Sequence, residues 1–210
     1  MANMRTRIAT DLHDDIGANL TRISLLSEVA KQELGQNGSN SEKESSLSSI
    51  ARIARESVTS MSDIVWAINP DRDSLRDLTR KMRSHAEEIF TLRDIELDFK
   101  APDSEQNLKL GVAARRDLLL IFKEAVNNAA RHSNCRKIVI DFRVEHGLLL
   151  LTITDNGKGF SPSFDGEGQG LRSMKRRAES LGASFSIESI AGSGTTVEIL
   201  LNLSRTRSTL

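Results

Sequence analysis

The sequence predicts an α+β protein in two parts. An N-terminal helical hairpin forms a dimeric four-helix bundle, and an α/β sandwich follows, with helices on one face of a mixed, mostly antiparallel sheet. Three observations carry this reading. Residues 5–68 hold two long apolar stripes at helical spacing. From Asp71 the pattern changes to short alternating runs between helical segments, in the order helix, strand, helix, hairpin, helix, hairpin. The 210 residues are enough for one large domain or two small ones. The expected division is 1–69 and 70–210.

The first helix covers residues 5–35, with Ile8, Leu12, Ile16, Leu20, Ile23, Leu26, Ala30 and Leu34 on one stripe. His13, beside Leu12, falls at the stripe's edge and is followed by Asp14. Gly35-Gln36-Asn37-Gly38-Ser39 supplies the stop and the loop. Ser41-Glu42-Lys43-Glu44 then fits a capping box, a hydroxyl for an orphan amide and a glutamate three residues on. The second helix carries Leu47, Ile50, Ala54, Val58, Met61, Val65 and Ile68 at steps of threes and fours, as in bundle packing. Asn69-Pro70 ends it, because proline lacks an amide and disfavours helix in the residue before it. Two helices alone have too little interior to bury both stripes. Pairing with a second copy through residues 5–68 is therefore expected; the competing arrangement packs the hairpin on its own second domain.

In the second part, residues 73–93 read as a helix with Leu75, Leu78, Met82, Ala86, Ile89 and Phe90 on one side. Ile95-Glu96-Leu97-Asp98-Phe99 alternates as a strand, and a helix at 110–132 follows. Strands at 137–144 and 148–154 flank the turn Glu145-His146-Gly147. A glycine-rich loop over 155–170 precedes a helix at 170–181 that Gly182 ends. Phe185 and Ile187, then Val197, Ile199 and Leu201, mark two closing strands joined by Ala191-Gly192-Ser193-Gly194. Residues 204–210 are polar and expected to fray.

Composition excludes several classes. The 29 basic and 29 acidic residues cancel, so bulk charge argues for neither nucleic acid nor an anionic membrane. A single cysteine, Cys135, allows no disulfide framework and no cysteine-built metal site. No apolar run approaches the roughly 18–20 residues that span a bilayer, and no signal peptide opens the chain. As given, the chain reads as soluble and cytoplasmic. It opens almost on the helix that carries His13, which is the expected look of a core whose input domain lies upstream. His85, His132 and His146 lack any ligand spacing for zinc.

Four places in the second part carry chemistry. On the 110–132 helix, Glu124, Asn127, Asn128 and Arg131 fall on one side, opposite Leu118, Phe122, Ala125 and Ala129. Adjacent asparagines are poor helix-interior residues, and an asparagine oxygen suits magnesium, whose octahedron is completed by phosphate and water. Arg131 and His132 lie about one turn on, within reach of phosphates. Asp155-Asn156-Gly157-Lys158-Gly159-Phe160 follows an apolar strand, so its carboxylate can accept from an exocyclic amine beside glycines that admit a flat ring. Gly168-Gln169-Gly170-Leu171 opens a helix whose free amides favour phosphate. It is not the dinucleotide fingerprint, since Ser173 replaces the third glycine. Gly194-Thr195-Thr196 begins the last strand, where a hydroxyl could help fix a base or a water held by Asp155. A solvated helix face and tight surface turns would use the same residues, so each motif is weak alone.

In order they resemble a known family. Phe122-Lys123-Glu124-Ala125-Val126-Asn127-Asn128-Ala129-Ala130-Arg131-His132-Ser133 resembles the N box of the histidine-kinase ATP-binding domain. Asp155-Asn156-Gly157-Lys158-Gly159 resembles its G1 box, Gly168-Gln169-Gly170-Leu171 its G2 box, and Gly194-Thr195 the end of its fold. Leu12-His13-Asp14-Asp15 resembles the phospho-acceptor motif of the subfamily that contains the nitrate sensors and the DesK thermosensor. The similarity covers about residues 5–202. It implies an ATP-binding fold of the histidine kinase, Hsp90 and gyrase type. Asn128 would hold magnesium with Glu124 assisting, and Asp155 would bind the adenine amino group. Gly157, Gly159, Gly168, Gly170 and Leu171 would shape the pocket and lid, Thr195 would support Asp155, and Asn127, Arg131 and His132 would line the nucleotide.

The implied reaction is ATP-dependent autophosphorylation on His13, then transfer to an aspartate of a response regulator. The chain would be the cytoplasmic part of a membrane-anchored sensor. An imidazole with an unperturbed pKa of about 6.5 is mostly neutral at pH 7 and keeps a lone pair for attack. The role of Asp14 in orienting the ring comes from the resemblance, since helix neighbours diverge by about 100°. Two departures stand out. Ala18 occupies the place, five residues after the histidine, where relatives often carry a glutamine for phosphatase activity. The lid between the glycine boxes, Ser161 to Glu167, is short. The alternatives are an ATPase or protein-serine kinase of the same ATP-binding superfamily, which needs neither hairpin nor His13, and a catalytically silent nucleotide-binding dimerisation module.

Overall fold

The computed structural model describes residues 20–21, 23–27, 40–101, 108–160 and 168–206. The positions of His13, Asp14 and Ala18, the loop 35–39 and the lid 161–167 lie outside them, as do the ends of the first predicted helix. The chain divides into two compact units, Met1–Ile68 and Asn69–Leu210.

In the first unit, α1 (Asn40–Ile68) begins one residue ahead of the predicted capping serine, with no glycine after Gly38 to delay it. Most of the stripe picked out by periodicity faces outward, with Ile50 and Ala54 half-buried. Leu47, Val58, Met61, Val65 and Ile68 are exposed, whereas Ile53, Asp63, Ile64 and Ala67 are buried. Helical spacing gives the width of an apolar stripe but not which of two stripes is covered within one chain. Residues 20–21 and 23–27 are also helical, with Leu20 and Leu25 exposed. Among the described residues no helix is long and apolar enough to cross a membrane.

The second unit opens with a 3-10 turn (Pro70–Arg72) and α2 (Leu75–Thr91). Ser74 caps α2, its hydroxyl accepting from the Asp77 amide at 3.1 Å. Then come β1 (Glu96–Lys100), α3 (Val112–Asn128), β2 (Lys137–Glu145) and β3 (Leu148–Asp155). They are followed by α4 (Gln169–Ser180), β4 (Ser184–Ile190), β5 (Gly194–Asn202) and a last turn, α5 (Leu203–Thr206). The sheet order is β1-β2-β3-β5-β4, parallel at β1–β2 and antiparallel elsewhere. The parallel pair needs a crossover, and α3 is that crossover.

One sheet face is the core side. Ile138, Ile140 and Phe142 of β2, Leu149, Leu151 and Ile153 of β3, and Val197, Ile199 and Leu201 of β5 are buried at every second residue. Leu78, Met82, Ala86 and Phe90 of α2 and Met174 and Ala178 of α4 are buried with them. Phe122 of α3 meets Phe99 of β1 edge to face at 6.4 Å; truncating it to alanine should cost about 3–5 kcal/mol.

The predicted 110–132 helix differs in two ways. It is buried nearly all round, so Arg115, Arg116, Asp117 and Lys123 are covered as well as its apolar side. It also ends at Asn128 and continues as a π-helical turn, Ala129–Ser133. The Ser133 hydroxyl donates to the Ala129 carbonyl at 2.6 Å, and Asn134 takes φ 53°. A serine bonding back to the chain competes with the regular ladder and widens the turn.

Candidate active site

Asp155 is the last residue of β3 and continues the core-face series Leu149, Leu151 and Ile153. Alternation places a carboxylate there, 6% exposed, where a hydrocarbon is due. It is not left bare. Its Oδ1 accepts from the Gly157 amide at 2.8 Å, and the Thr195 amide donates to it from the paired position on β5. Burial pushes the carboxyl above the usual aspartate range, and these two amides pull it back part of the way.

The loop after Asp155 is stitched to three elements. Asn156 Oδ1 accepts from the Arg136 and Lys137 amides at 3.0 Å each. The Lys158 amide donates to the Ser133 carbonyl at 2.7 Å, and the Lys158 carbonyl accepts from Gly192 at 2.6 Å. Gly157 is pressed against the π turn: a Cβ there would stand 2.3 Å from Ser133 O and 2.6 Å from Ser133 Cβ. Only glycine allows that approach. Gly159 follows, and the Phe160 amide donates to Ser189 Oγ at 2.9 Å. The same hydroxyl reaches the Gly194 carbonyl at 3.2 Å and lies 2.9 Å from Thr195 Oγ1. Thr195 therefore meets Asp155 through its backbone, and its side chain is engaged by Ser189.

The other half of the site joins the end of α3 to the start of α4. Asn128 Nδ2 donates to Glu124 Oε1 at 3.3 Å, which leaves the Asn128 carbonyl oxygen as a hard donor. Gly170, in the first turn of α4, faces Glu124 closely: a Cβ there would stand 2.0 Å from Oε1. Gly168, the N-cap, has no side chain with which to satisfy the first amides of α4, the kind of helix start that favours an anion. Leu171 is half-buried on the same turn. The far end of α4 is tied to α3, Arg177 lying 3.4 Å from Asp117 and Ser180 Oγ donating to Asp117 at 3.1 Å. Asn127 is half-buried, and Arg131 and His132 are exposed on the π turn.

The fold thus brings together two groups from the sequence: Asp155 with Gly157 and Thr195, and Glu124 with Asn128 and Gly170. Among the described residues no three His, Cys, Asp or Glu side chains converge as a metal cage. An oxygen-only pair, Glu124 and Asn128, fits a magnesium ion that keeps most of its ligands from phosphate and water. Three residues were assigned no role in the sequence. Ser133 and Asn156 lie inside quoted motifs, and their serine and asparagine types are those that bond backbone locally. Ser189 carried no sequence signal, because its hydroxyl meets Gly194, Thr195 and Phe160 only once the β4–β5 turn closes beside the loop after Asp155.

Residues 113–205 match the family described as histidine kinase-, DNA gyrase B-, and HSP90-like ATPase, and residues 5–73 match one described as histidine kinase. The chain belongs to the histidine kinase family. The sensor protein VraS of Staphylococcus haemolyticus is 30% identical over 97% of this chain and 56% of its own length. The sensor histidine kinase LiaS of Bacillus subtilis is 25% identical over 93% of this chain and 53% of its own length. The chain thus spans about half the length of the curated relatives it matches. Among solved structures, the histidine kinase domain of the Erythrobacter litoralis EL346 blue-light activated histidine kinase aligns with TM-score 0.59 and 19% identity, covering 95% of this chain and 96% of that one. The Acinetobacter baumannii histidine kinase AdeS aligns with TM-score 0.61 and 16% identity, covering 87% and 95%. At such identities these likenesses speak for the histidine kinase fold alone.

Proposed function

We propose that this chain is the kinase core of a two-component sensor. In this reading residues 70–210 bind ATP, its γ-phosphoryl passes to His13 on the 1–69 hairpin, and from there to an aspartate of a response regulator. The observation that carries the reading is the buried Asp155 carboxylate, held by two amides beside a closely packed glycine, at the rim of a site whose other side is Glu124, Asn128 and the N-terminus of α4. A carboxylate so held accepts from an exocyclic amine, and open helix amides favour a phosphate chain. Gly159, Gly168 and Leu171 flank the bound nucleotide, Thr195 steadies Asp155, and Asn127, Arg131 and His132 face the phosphates.

Asn128 with Glu124 would hold magnesium, which when bound neutralises phosphate charge. Neutral His13 attacks the γ-phosphorus in line as the bond to the β,γ-bridging oxygen breaks and ADP leaves; the ring's own proton leaves the other nitrogen, and Asp14 orients the ring or takes that proton. The hairpin pairs with a second copy through residues 5–68, and the exposed stripe Leu47, Val58, Met61, Val65 and Ile68 supports that. The names of the relatives, which call them sensors, support a sensor region in the whole protein; the histidine kinase resemblance adds that this core lies on the cytoplasmic side of a membrane. Ala18 stands where the resembled subfamily often carries a glutamine, which leaves the reading without its usual support for phosphatase activity.

The test is incubation with γ-labelled ATP and magnesium, wild type against His13→Gln, followed by acid and by alkali. Label that requires His13, is lost in acid and survives alkali is the expected result. Label on a hydroxyl, or only released phosphate, would assign the chain to the serine-kinase or ATPase branch of the superfamily.

A further inference from the structure

The segment that leads from the first unit into the second is fastened to α3, the helix of Glu124 and Asn128. Arg115, in the first turn of α3, is 2% exposed. Its Nη1 donates to the Asn69 carbonyl at 2.9 Å and also to the Arg72 carbonyl, the two ends of the 3-10 turn. Outside this bond the strands of chain are laced by backbone. Leu75 donates to Leu108 O and Leu110 to Asp73 O, each at 2.8 Å, and Ser74 bridges Lys109. A solvent-side ion pair, Lys109 to Asp73 at 2.8 Å, closes the clasp.

The arginine is an expensive choice for this place. Its Nε has no hydrogen-bond partner among the described residues, both its Nη1 bonds go to neutral carbonyls, and the Asp73 and Asp77 carboxylates act on it only through space. A buried charge without a direct carboxylate is commonly matched or bettered in stability by a hydrocarbon of similar volume. What a hydrocarbon cannot do is hold two carbonyls of a passing segment at once, as the single Nη1 nitrogen does. Glu124 lies nine residues further on, roughly 13 Å along the same helix.

We propose that Arg115 is a positioning residue for phosphoryl transfer, locking the junction segment Asn69–Ser74 to the nucleotide helix so that the two move as one body. The proposal rests on the kinase reading for its catalytic consequence, and the clasp itself does not. Arg115 touches neither nucleotide nor His13. Its loss therefore lowers the rate of transfer and leaves ATP affinity alone.

The experiment uses the full chain. Arg115→Met should lower kcat for His13 labelling by roughly 10- to 100-fold with KM for ATP unchanged, the scale of a misplaced reacting group. Arg115→Lys, which keeps the charge and one reach, should recover part of it. Hydrogen exchange supplies a readout free of chemistry: Arg115→Met should speed exchange at Arg72 and Leu75 by at least about tenfold, with Gly157 as protected as in wild type. Should Arg115→Met fail to fold, Lys109→Ala cuts the clasp from the solvent side and should move both readouts the same way by less. An unchanged kcat, a KM that rises as kcat falls, or unchanged exchange at Arg72 and Leu75 would overturn the proposal. If wild type fails to label His13, the kinase reading fails, and the exchange measurement still decides the clasp.

Discussion

Asp155 stands where two demands meet. The strand period puts it on the core face, and the proposed nucleotide contact uses it as an acceptor; two amides reconcile these by offsetting part of the cost of burial. Asp155→Asn replaces an acceptor oxygen with a donor facing the same amine and should weaken ATP binding by at least about 100-fold. Asn128→Asp sets a second carboxylate beside Glu124 and should do similar damage. Either variant should melt within a few degrees of wild type, and a nucleotide titration reading wild-type affinity in either would remove the site assignment. Two glycines separate packing from chemistry. Gly157→Ala meets fixed backbone, Ser133 O at 2.3 Å, and should cost about 2–4 kcal/mol in denaturant unfolding. Gly170→Ala meets only the tip of Glu124, which can swing away. It should change stability by less than about 1 kcal/mol and yet lower phosphate incorporation, because Glu124 is displaced from Asn128.

Between elements, the α2–α3 contact carries a pH dependence. His85 of α2 lies edge-on to Phe122 of α3, ring centroids 6.5 Å apart, with its Nε2 buried and unpartnered. Burial, then the charges of Lys123 and Lys81, lower its pKa from 6.5 to about 4. The unfolded chain therefore takes up this proton at a higher pH than the folded one. Stability is full above pH 6.5, falls as pH drops towards about 4, and levels off below. The loss is at most about 3 kcal/mol and nearer about 2 kcal/mol once solvent screening is allowed for. Denaturant unfolding across that window should show a steeper decline for wild type than for His85→Leu; parallel curves would remove His85 as the cause.

The element order and the core-side residues of the sheet were legible in the sequence, because period-2 and period-3.6 patterns follow directly from backbone geometry. Asp155 was legible as a motif, and its burial was implicit in the same alternation. Three things were not legible. The covered side of α1 depends on what else packs there, the π turn on a single serine bonding back to Ala129, and the Ser189 hub on a turn that closes only when β4 and β5 pair.

Across the molecule, the proposed reading gives dimerisation and the phospho-acceptor to the first unit and ATP to the second. The exposed stripe of α1 gives a second copy something to cover, at about 25 cal/mol for each Å² of apolar surface removed from water. A fragment of residues 69–210 should therefore sediment as a monomer and bind ATP with the affinity of the full chain; a stable dimer of that fragment would move the interface out of the hairpin.

The widened turn at Ala129–Ser133 has a different consequence, for how such a sequence can drift. A π turn holds one residue more than an α turn, so its length is a phase setting. Substituting Ala130 should be nearly silent. Deleting it should let an ordinary α turn close in the same place and keep Ser133 near Gly157, whereas a deletion within Val112–Asn128 would rotate everything behind it by about 100°. In this stretch, unlike the helix before it, the protein should forgive a change of count as well as a change of letter.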